Sequence, residues 1–188
     1  MSGTTIPSQA EFSRTYRLTQ VRQQPITVEI EANEDERGAL ARRFGLVSLE
    51  QLVATLTLTA EKDDVLVDGT IKARVEQACV ASGDPIPVSL DERLALRFAP
   101  EPDAEPSALD DDEIAETSAD LEDRDLIHYE GGVIDIGEAV AQTLLLSLDP
   151  YPRSADADTY LKEKGVLSED EAGPFAALAA LKDKFKKD

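Results

Sequence analysis

Few residues in this sequence have the chemistry of a catalytic or metal site, and the first two to consider are Cys79 and His128. Cys79 is the only cysteine and His128 the only histidine, and 49 residues separate them. A reactive thiol needs a nearby cation or a helix N-terminus to lower its pKa, whereas the neighbour that the sequence places close to Cys79 is an acid, Glu76. A structural zinc site needs about four ligands, mostly cysteine and histidine. The sequence therefore predicts a structural Cys79, either buried or at a strand edge.

The remaining candidates for catalysis are equally sparse. His128 lies in the alternating stretch DLIHYEGG, where a single histidine more often packs than transfers protons. The sequence has no serine-centred nucleophile elbow and no glycine-rich phosphate loop. Three successive aspartates, Asp110, Asp111 and Asp112, could gather a divalent cation weakly, but ordering a flexible acidic run costs entropy. We therefore expect no catalytic residue, no cofactor site and no metal site.

The net charge of −20 is concentrated in one short segment. Residues 1–100 carry a net charge of −4, residues 101–125 carry −11, and residues 126–188 carry −5. Affinity for nucleic acids comes largely from lysine and arginine side chains that displace counterions, so broad contact with RNA is disfavoured and a basic protein partner is favoured. The candidate partner-binding residues of the acidic run are Asp110, Asp111, Asp112, Glu113 and Glu116. A solvated spacer is the alternative interpretation of this run.

Arginines cluster in two places near the N-terminus. One group lies within and just after the first predicted strand, and the other lies on the first predicted helix. The candidate binding residues among them are Arg14, Arg17, Arg42 and Arg43, with Arg22 and Arg37 beside them. Together they could form a local positive face, or they could be paired with carboxylates on an ordinary solvated surface.

Hydrophobic alternation with a period of two residues predicts six strands between residues 11 and 130. The predicted strands are residues 11–18, 26–32, 54–60, 65–80, 87–98 and 125–130. Gly69 is interpreted as a bulge or bend within the fourth of them. The pattern predicts an α+β fold with a twisted antiparallel sheet of about five or six strands and two or three packing helices. A sheet that curls toward a partial barrel is the alternative.

Capping residues mark the helices. Asn33, with Glu36 three residues later, predicts a capping box for a helix over Glu34–Phe44 that ends at Gly45. Asp135 is expected to cap a second helix that ends before Pro150, and Glu138 stands three residues after it. The stretch PFAALAALKDKFKK at residues 174–187 predicts a small amphipathic helix, which packs on the sheet or docks on a partner.

These elements predict the organisation of the chain. Residues 1–10 are expected to be flexible, and residues 11–152 are expected to form one α+β domain interrupted by an acidic loop at 99–124. Residues 153–188 are expected to form a linker and the amphipathic helix. No signal peptide and no membrane span are expected, since no basic flank precedes an apolar run and no apolar stretch is long enough. With one cysteine and no internal disulfide, the sequence predicts a cytoplasmic protein.

Several stretches resemble a known family when they are taken in order. They are TIKARVEQACVASGDPIPVSLDERLALRF (70–98), the acidic loop after it, DLIHYEGGVIDIGEAVAQTLLLSLDPYP (125–152) and PFAALAALK (174–182). This sequence resembles the YceD family, described as large ribosomal RNA subunit accumulation proteins. Many relatives carry a Cys-x-x-Cys at the strand end, where this sequence has Cys79 and Ser82, and further cysteines after the second helix, where it has none.

The resemblance implies a bacterial-type cytoplasmic factor for ribosome biogenesis without known enzymatic activity or cofactor. Its partners would be large-subunit ribosomal proteins or assembly factors, with the acidic run acting as an RNA mimic or shield. Direct contact of the arginine face with large-subunit ribosomal RNA is the alternative. A hydrolase or nuclease that acts on RNA through His128 or the three aspartates is the least favoured hypothesis.

Overall fold

A five-stranded sheet forms the centre of the fold. The computed structural model describes residues 10–101 and 124–166. In chain order, the elements of this part are β1 (Thr15–Arg17), α1 (Leu18–Val21), β2 (Ile26–Glu31), α2 (Glu34–Phe44), β3 (Ser48–Glu61), β4 (Asp64–Ala78), β5 (Pro85–Pro100), β6 (Asp125–Tyr129), β7 (Val133–Asp135), α3 (Ile136–Ser147) and α4 (Ala157–Glu163). No helix among these residues is long and apolar enough to cross a membrane.

The strand order of the main sheet is β2-β3-β4-β5-β6, and β1 pairs with β7 in a separate two-stranded sheet. The β2–β3 and β3–β4 ladders are antiparallel. The α+β class and the five-stranded sheet are therefore confirmed, and the order ends at β2 and β6 without closing into a barrel. One difference is that β6 runs parallel to β5. Parallel pairing needs a long connection, and the 24 residues between Pro100 and Asp125 are long enough to provide it.

One face of the sheet is buried because apolar residues alternate with threonines and charged residues. On β3 the side chains of Leu52, Leu56 and Leu58 are buried, whereas Thr55 between them is exposed. The helices α2 and α3 add their apolar faces to the same core cluster. Its largest fully buried side chains include Phe12, Leu40, Leu52, Leu56, Leu58, Ile71, Leu94, Ile134, Ile136 and Leu144.

The chain divides into two compact units. Within the described residues, the first unit comprises residues 10–76, 87–101 and 124–149, and so includes most of the sheet with α1, α2 and α3. The second unit comprises residues 77–86 and 150–166, which contribute the β4–β5 turn and α4. The predicted domain limits of 11–152 and 153–188 stay a prediction.

The predicted end of α2 is confirmed, and so is its cap. The Asn33 side chain accepts a hydrogen bond from the Glu36 backbone N–H at 3.0 Å, and the Glu36 carboxylate accepts one from the Asn33 N–H at 2.8 Å. Gly45 ends the helix with a φ of 67°, in the left-handed region that favours glycine. At α3, Asp135 caps the helix as expected, but the Glu138 carboxylate does not complete a capping box, because Arg43 binds it instead.

Three local predictions are wrong. The first predicted strand is confined to Thr15–Arg17 and continues directly into α1. β3 begins at Ser48, six residues before the start of the predicted strand at residue 54. Gly69 lies in regular register opposite Leu56, and the irregularity between β3 and β4 falls at Leu49/Gln51.

Gly69 is instead required by close packing of two backbones. A Cβ atom at this position would lie 2.0 Å from the Thr55 carbonyl oxygen and 2.9 Å from the Leu56 Cα atom. These atoms belong to the main chain of β3 and cannot rotate away. The glycine therefore keeps β3 and β4 at their normal separation.

We expect Gly69→Ala to lower the free energy of unfolding by about 2–4 kcal/mol, because the clash is with backbone rather than with a flexible side chain. Gly38→Ala is the matched control, since its Cβ would meet only the Arg42 side chain at 3.6 Å. Because Gly38 lies within α2, this change should raise the free energy of unfolding by up to about 1 kcal/mol. Urea unfolding measures both; equal effects of the two substitutions would contradict the packing argument.

Candidate functional site

Arg14 is bound inside the first unit by a bidentate ion pair. Its two terminal nitrogens donate to the two carboxylate oxygens of Glu36 at 2.7 and 2.9 Å, and one of them also donates to the Glu31 carbonyl at 3.0 Å. The guanidinium carbon lies 4.6 Å from the centre of the Phe12 ring. Hydrogen bonding to Arg14 lowers the pKa of Glu36, and the same bond raises the pKa of Arg14. Arg14 therefore links the segment before β1 to the cap of α2.

Arg43 is bound in the same way at the other end of α2. Its guanidinium donates to Glu138 on α3 at 2.6 and 2.9 Å and to Glu11 at 2.9 Å. The hydrogen bond to Glu138 raises the pKa of Arg43, and that of Glu138 is lowered chiefly by the same bond. Two of the four candidate arginines are thus paired with three carboxylates of their own chain.

Arg17 lies in a different environment, a groove beside the β6–β7 turn. The groove encloses about 800 Å³ and is lined by Arg17, Arg22, Tyr129 and the Gly131-Gly132 pair, with carboxylates from Glu101 and Glu130. Arg22 forms an ion pair with Asp63 at 2.8 Å. No carboxylate within the described ranges forms an ion pair with Arg17. The groove therefore mixes charges of both signs.

Arg42 is exposed and lines a shallow groove of about 380 Å³ between α2 and the start of β3. Arg37 shares this groove, and its guanidinium donates to the Ala32 carbonyl at 2.7 Å. Arg14, Arg17, Arg42 and Arg43 therefore each have different contacts, and a single positive face formed by them stays a prediction. The five acidic candidates, Asp110, Asp111, Asp112, Glu113 and Glu116, lie outside the described residues.

His128 is exposed on β6, at the edge of the main sheet, and its Nδ1 atom lies 3.4 Å from the Pro100 carbonyl oxygen. Neighbouring Tyr129 donates its hydroxyl to the Asp63 carbonyl at 2.6 Å. Residues 10–101 and 124–166 contain no group of three or more potential metal-ligating side chains.

Cys79 is buried in the second unit, as the sequence predicts, with 2% of its surface exposed. Its backbone is fixed by a tight turn: the Cys79 N–H donates to the Asp84 carbonyl, and the Cys79 carbonyl accepts from the Gly83 N–H, both at 2.8 Å. Its sulfur lies 3.4 Å from the Ser154 backbone nitrogen, which donates to it, and 3.5 Å from the Ser154 hydroxyl oxygen. Cys79 therefore joins the β4–β5 turn to the segment before α4.

These contacts favour the thiolate. The Ser154 backbone N–H, the Ser154 hydroxyl and the Ser82 hydroxyl and N–H together lower the pKa of Cys79 to about 6. No cation is among the causes that lower this pKa. The low pKa of Cys79 therefore could not be predicted from a positively charged neighbour in the sequence. Ser154 is 75 residues away along the chain, and no motif connects the two positions.

The Arg43–Glu138 ion pair generates a pH-dependent prediction. Glu138→Gln should lower the free energy of unfolding at pH 7 by about 1 kcal/mol, because the neutral amide has one acceptor oxygen instead of two and loses the attraction between opposite charges. The pKa of Glu138 is lowered in the folded state, so its contribution is complete above the ordinary carboxyl pKa of about 4.3 and disappears as the pH falls through the folded-state pKa. Urea titrations from pH 7 to pH 3 measure this difference. Glu61→Gln, an exposed control, should change nothing; a constant deficit for Glu138→Gln across this range would argue against the ion pair.

The Cys79 environment generates a second prediction. Ultraviolet absorbance of the thiolate near 240 nm should titrate with a midpoint near pH 6, below the ordinary thiol value of about 8.5. Ser154→Ala should shift the midpoint upward, since one of the donors is lost. Ser147→Ala serves as the control because its hydroxyl bonds to Thr143 on α3. A wild-type midpoint at or above 8.5 would show that the serines do not stabilise the anion.

Comparison with known proteins identifies a family that this chain matches. The family described as "Large ribosomal RNA subunit accumulation protein YceD" matches residues 67–182, which is more than half of the chain. No curated protein and no solved structure matches this chain. The matched region begins within β4, includes the Cys79 turn, β5, β6, α3 and α4, and extends past them. The expected resemblance is confirmed: this chain belongs to the YceD family of large ribosomal RNA subunit accumulation proteins.

Proposed function

We propose that this protein is a non-catalytic, cytoplasmic factor that supports the accumulation of large-subunit ribosomal RNA by binding basic ribosomal or assembly proteins. The family description gives the link to large-subunit ribosomal RNA. The preference for a protein partner comes from the charge of this chain. A net charge of −20, of which −11 lies in residues 101–125, attracts cationic proteins and repels phosphates at long range.

The single observation that carries the proposal is the use of arginines within the first unit. Arg14 and Arg43 bind Glu36, Glu11 and Glu138, and Arg22 binds Asp63. A guanidinium engaged with two carboxylate oxygens has few donors left for a phosphate. Three of the six arginines near the N-terminus are therefore paired with carboxylates of the protein itself, which weakens the positive face that direct RNA binding would require.

The acidic run would act by steering and by shielding. Its charge raises the association rate with a basic protein at low salt, since opposite charges attract over about a Debye length of 10 Å at 0.1 M ionic strength. Many cationic segments fold only against RNA, and an anionic surface can occupy them until RNA is available. The protein would then hold basic partners soluble during assembly and release them to RNA.

Neutralising the acidic run should weaken binding. We expect the variant with Asp110, Asp111 and Asp112 changed to Asn, and Glu113 and Glu116 changed to Gln, to co-sediment with large-subunit precursors at least about fivefold less at low salt, because steering and charge pairing are lost together. Density-gradient centrifugation of lysates measures the bound fraction.

The matched control removes the same charge from exposed carboxylates outside the acidic run. Its substitutions are Glu61→Gln, Asp84→Asn, Glu92→Gln, Asp156→Asn and Glu163→Gln. Wild-type binding of this control, with weakened binding of the test variant, supports the proposal. Unchanged co-sedimentation of the test variant, or an equal loss in both, would overturn the role of the run.

A further inference from the structure

The edge strand β2 presents main-chain groups, at Thr27 and Glu29, that form no hydrogen bond with another described residue. β2 is the outermost strand of the main sheet, with β3 on its other side. Its register with β3 is regular over all six residues, without a bulge, and it has no internal proline. Bulges, prolines and charged side chains, lysine above all, usually block an edge against further pairing. β2 has no bulge, no internal proline and no lysine, and its charged side chains are the carboxylates of Glu29 and Glu31.

The geometry identifies which groups face outward. Ala32, which follows β2, donates its N–H to the carbonyl of Leu52, directly opposite on β3. In an antiparallel ladder, residues that bond to the neighbour alternate with residues whose N–H and C=O point away. The outward residues of β2 are therefore Thr27, Glu29 and Glu31. Arg14 binds the Glu31 carbonyl at 3.0 Å from the open side, which agrees with this assignment.

Side chains on the two faces of β2 differ in character. Glu29 and Glu31 are exposed on the polar face, and neither carboxylate forms an ion pair with a described residue. Ile26 and Val28 are only half-buried on the opposite face, where they pack against the core. A further strand would therefore meet two free carboxylates on one face and incompletely covered aliphatic groups on the other.

We propose that β2 accepts an extended basic segment of a partner protein as an additional strand, with lysine or arginine beside Glu29 and Glu31 and apolar residues beside Ile26 and Val28. The main-chain groups of Thr27 and Glu29 supply the hydrogen bonds, and the alternation of the side chains supplies specificity. This inference rests on the proposed function, since it names the surface on which a basic partner binds. It differs from that function in placing a contact on the sheet rather than on the acidic run.

A second copy of this chain fits the edge poorly. Two β2 strands paired edge to edge would bring the Glu29 and Glu31 carboxylates of both copies onto one polar face. Like charges directly opposite or diagonal on a strand pair destabilise it. Charge complementarity therefore selects a cationic strand.

A blocked seven-residue peptide of alternating lysine and valine tests the inference with the full-length protein. At saturation, hydrogen exchange of the Thr27 and Glu29 amides, followed by NMR, should slow at least about tenfold, because these N–H groups become hydrogen-bonded. Glu29→Gln/Glu31→Gln should raise the dissociation constant about fivefold at low salt. The control Glu61→Gln/Glu92→Gln removes two charges elsewhere on the sheet and should leave the constant unchanged.

Two modified peptides separate strand pairing from simple charge attraction. Amides of successive residues in a strand point in opposite directions, so methylation of either the lysine amides or the valine amides should abolish binding, whereas the other set should be tolerated. Equal binding of both methylated peptides would overturn the proposal. Unchanged exchange at Thr27 and Glu29, or equal effects of the two double variants, would also overturn it. The peptide experiments test only whether β2 binds a further strand. Co-sedimentation of the variant neutralised at residues 110–116 tests the proposed function separately.

Discussion

The bidentate ion pair between Arg14 and Glu36 connects the N-terminal segment, the end of β2 and the cap of α2 within the first unit. Glu36 accepts from the Arg14 guanidinium and from the Asn33 N–H, so one carboxylate holds both the N-terminal segment and the cap of α2. The Arg14 main chain in turn donates to Asp135, whose carboxylate caps α3. Gly137 permits this approach, since a Cβ there would lie 2.5 Å from the Phe12 carbonyl oxygen. Both helices are thus positioned through a few charged groups next to the apolar core.

This use of arginine connects the fold to the proposed function. Arg14 and Arg43 are held in ion pairs that link the N-terminal segment, α2 and α3, so they contribute less positive potential at the surface than free cations would. Glu11, Glu36, Asp135 and Glu138 serve the same packing, but the chain has 39 acidic residues against 19 basic ones, so a large excess of negative charge remains. Under the proposed function, this excess repels RNA phosphates and attracts the basic proteins that RNA also binds. Membership of the YceD family is compatible with such an indirect action on ribosomal RNA.

Local sequence signals predicted the strands, the helices and their caps, whereas contacts between distant parts of the chain could not be predicted from them. The capping box at Asn33 and the cap at Asp135 were predictable because their partners lie within three residues. The parallel pairing of β6, the short β7 strand and the Glu138–Arg43 bond were not, since each depends on residues brought together from distant parts of the chain. The contacts of the candidate site residues could not be predicted from the sequence. Arg14 and Arg43 have the sequence context of surface cations, although both bind carboxylates from distant parts of the chain. The low thiol pKa of Cys79 depends on Ser154, which is 75 residues away.

Affinity purification from lysate before and after RNase treatment tests the central claim most directly, because it distinguishes a protein partner from an RNA partner. The tagged full-length protein is the bait, and bound large-subunit ribosomal proteins are identified and quantified by mass spectrometry. If the anionic surface binds basic proteins, the same ribosomal proteins remain bound after digestion and are released by moderate salt. Loss of these proteins on RNase treatment would show that RNA makes the contact and would contradict the account.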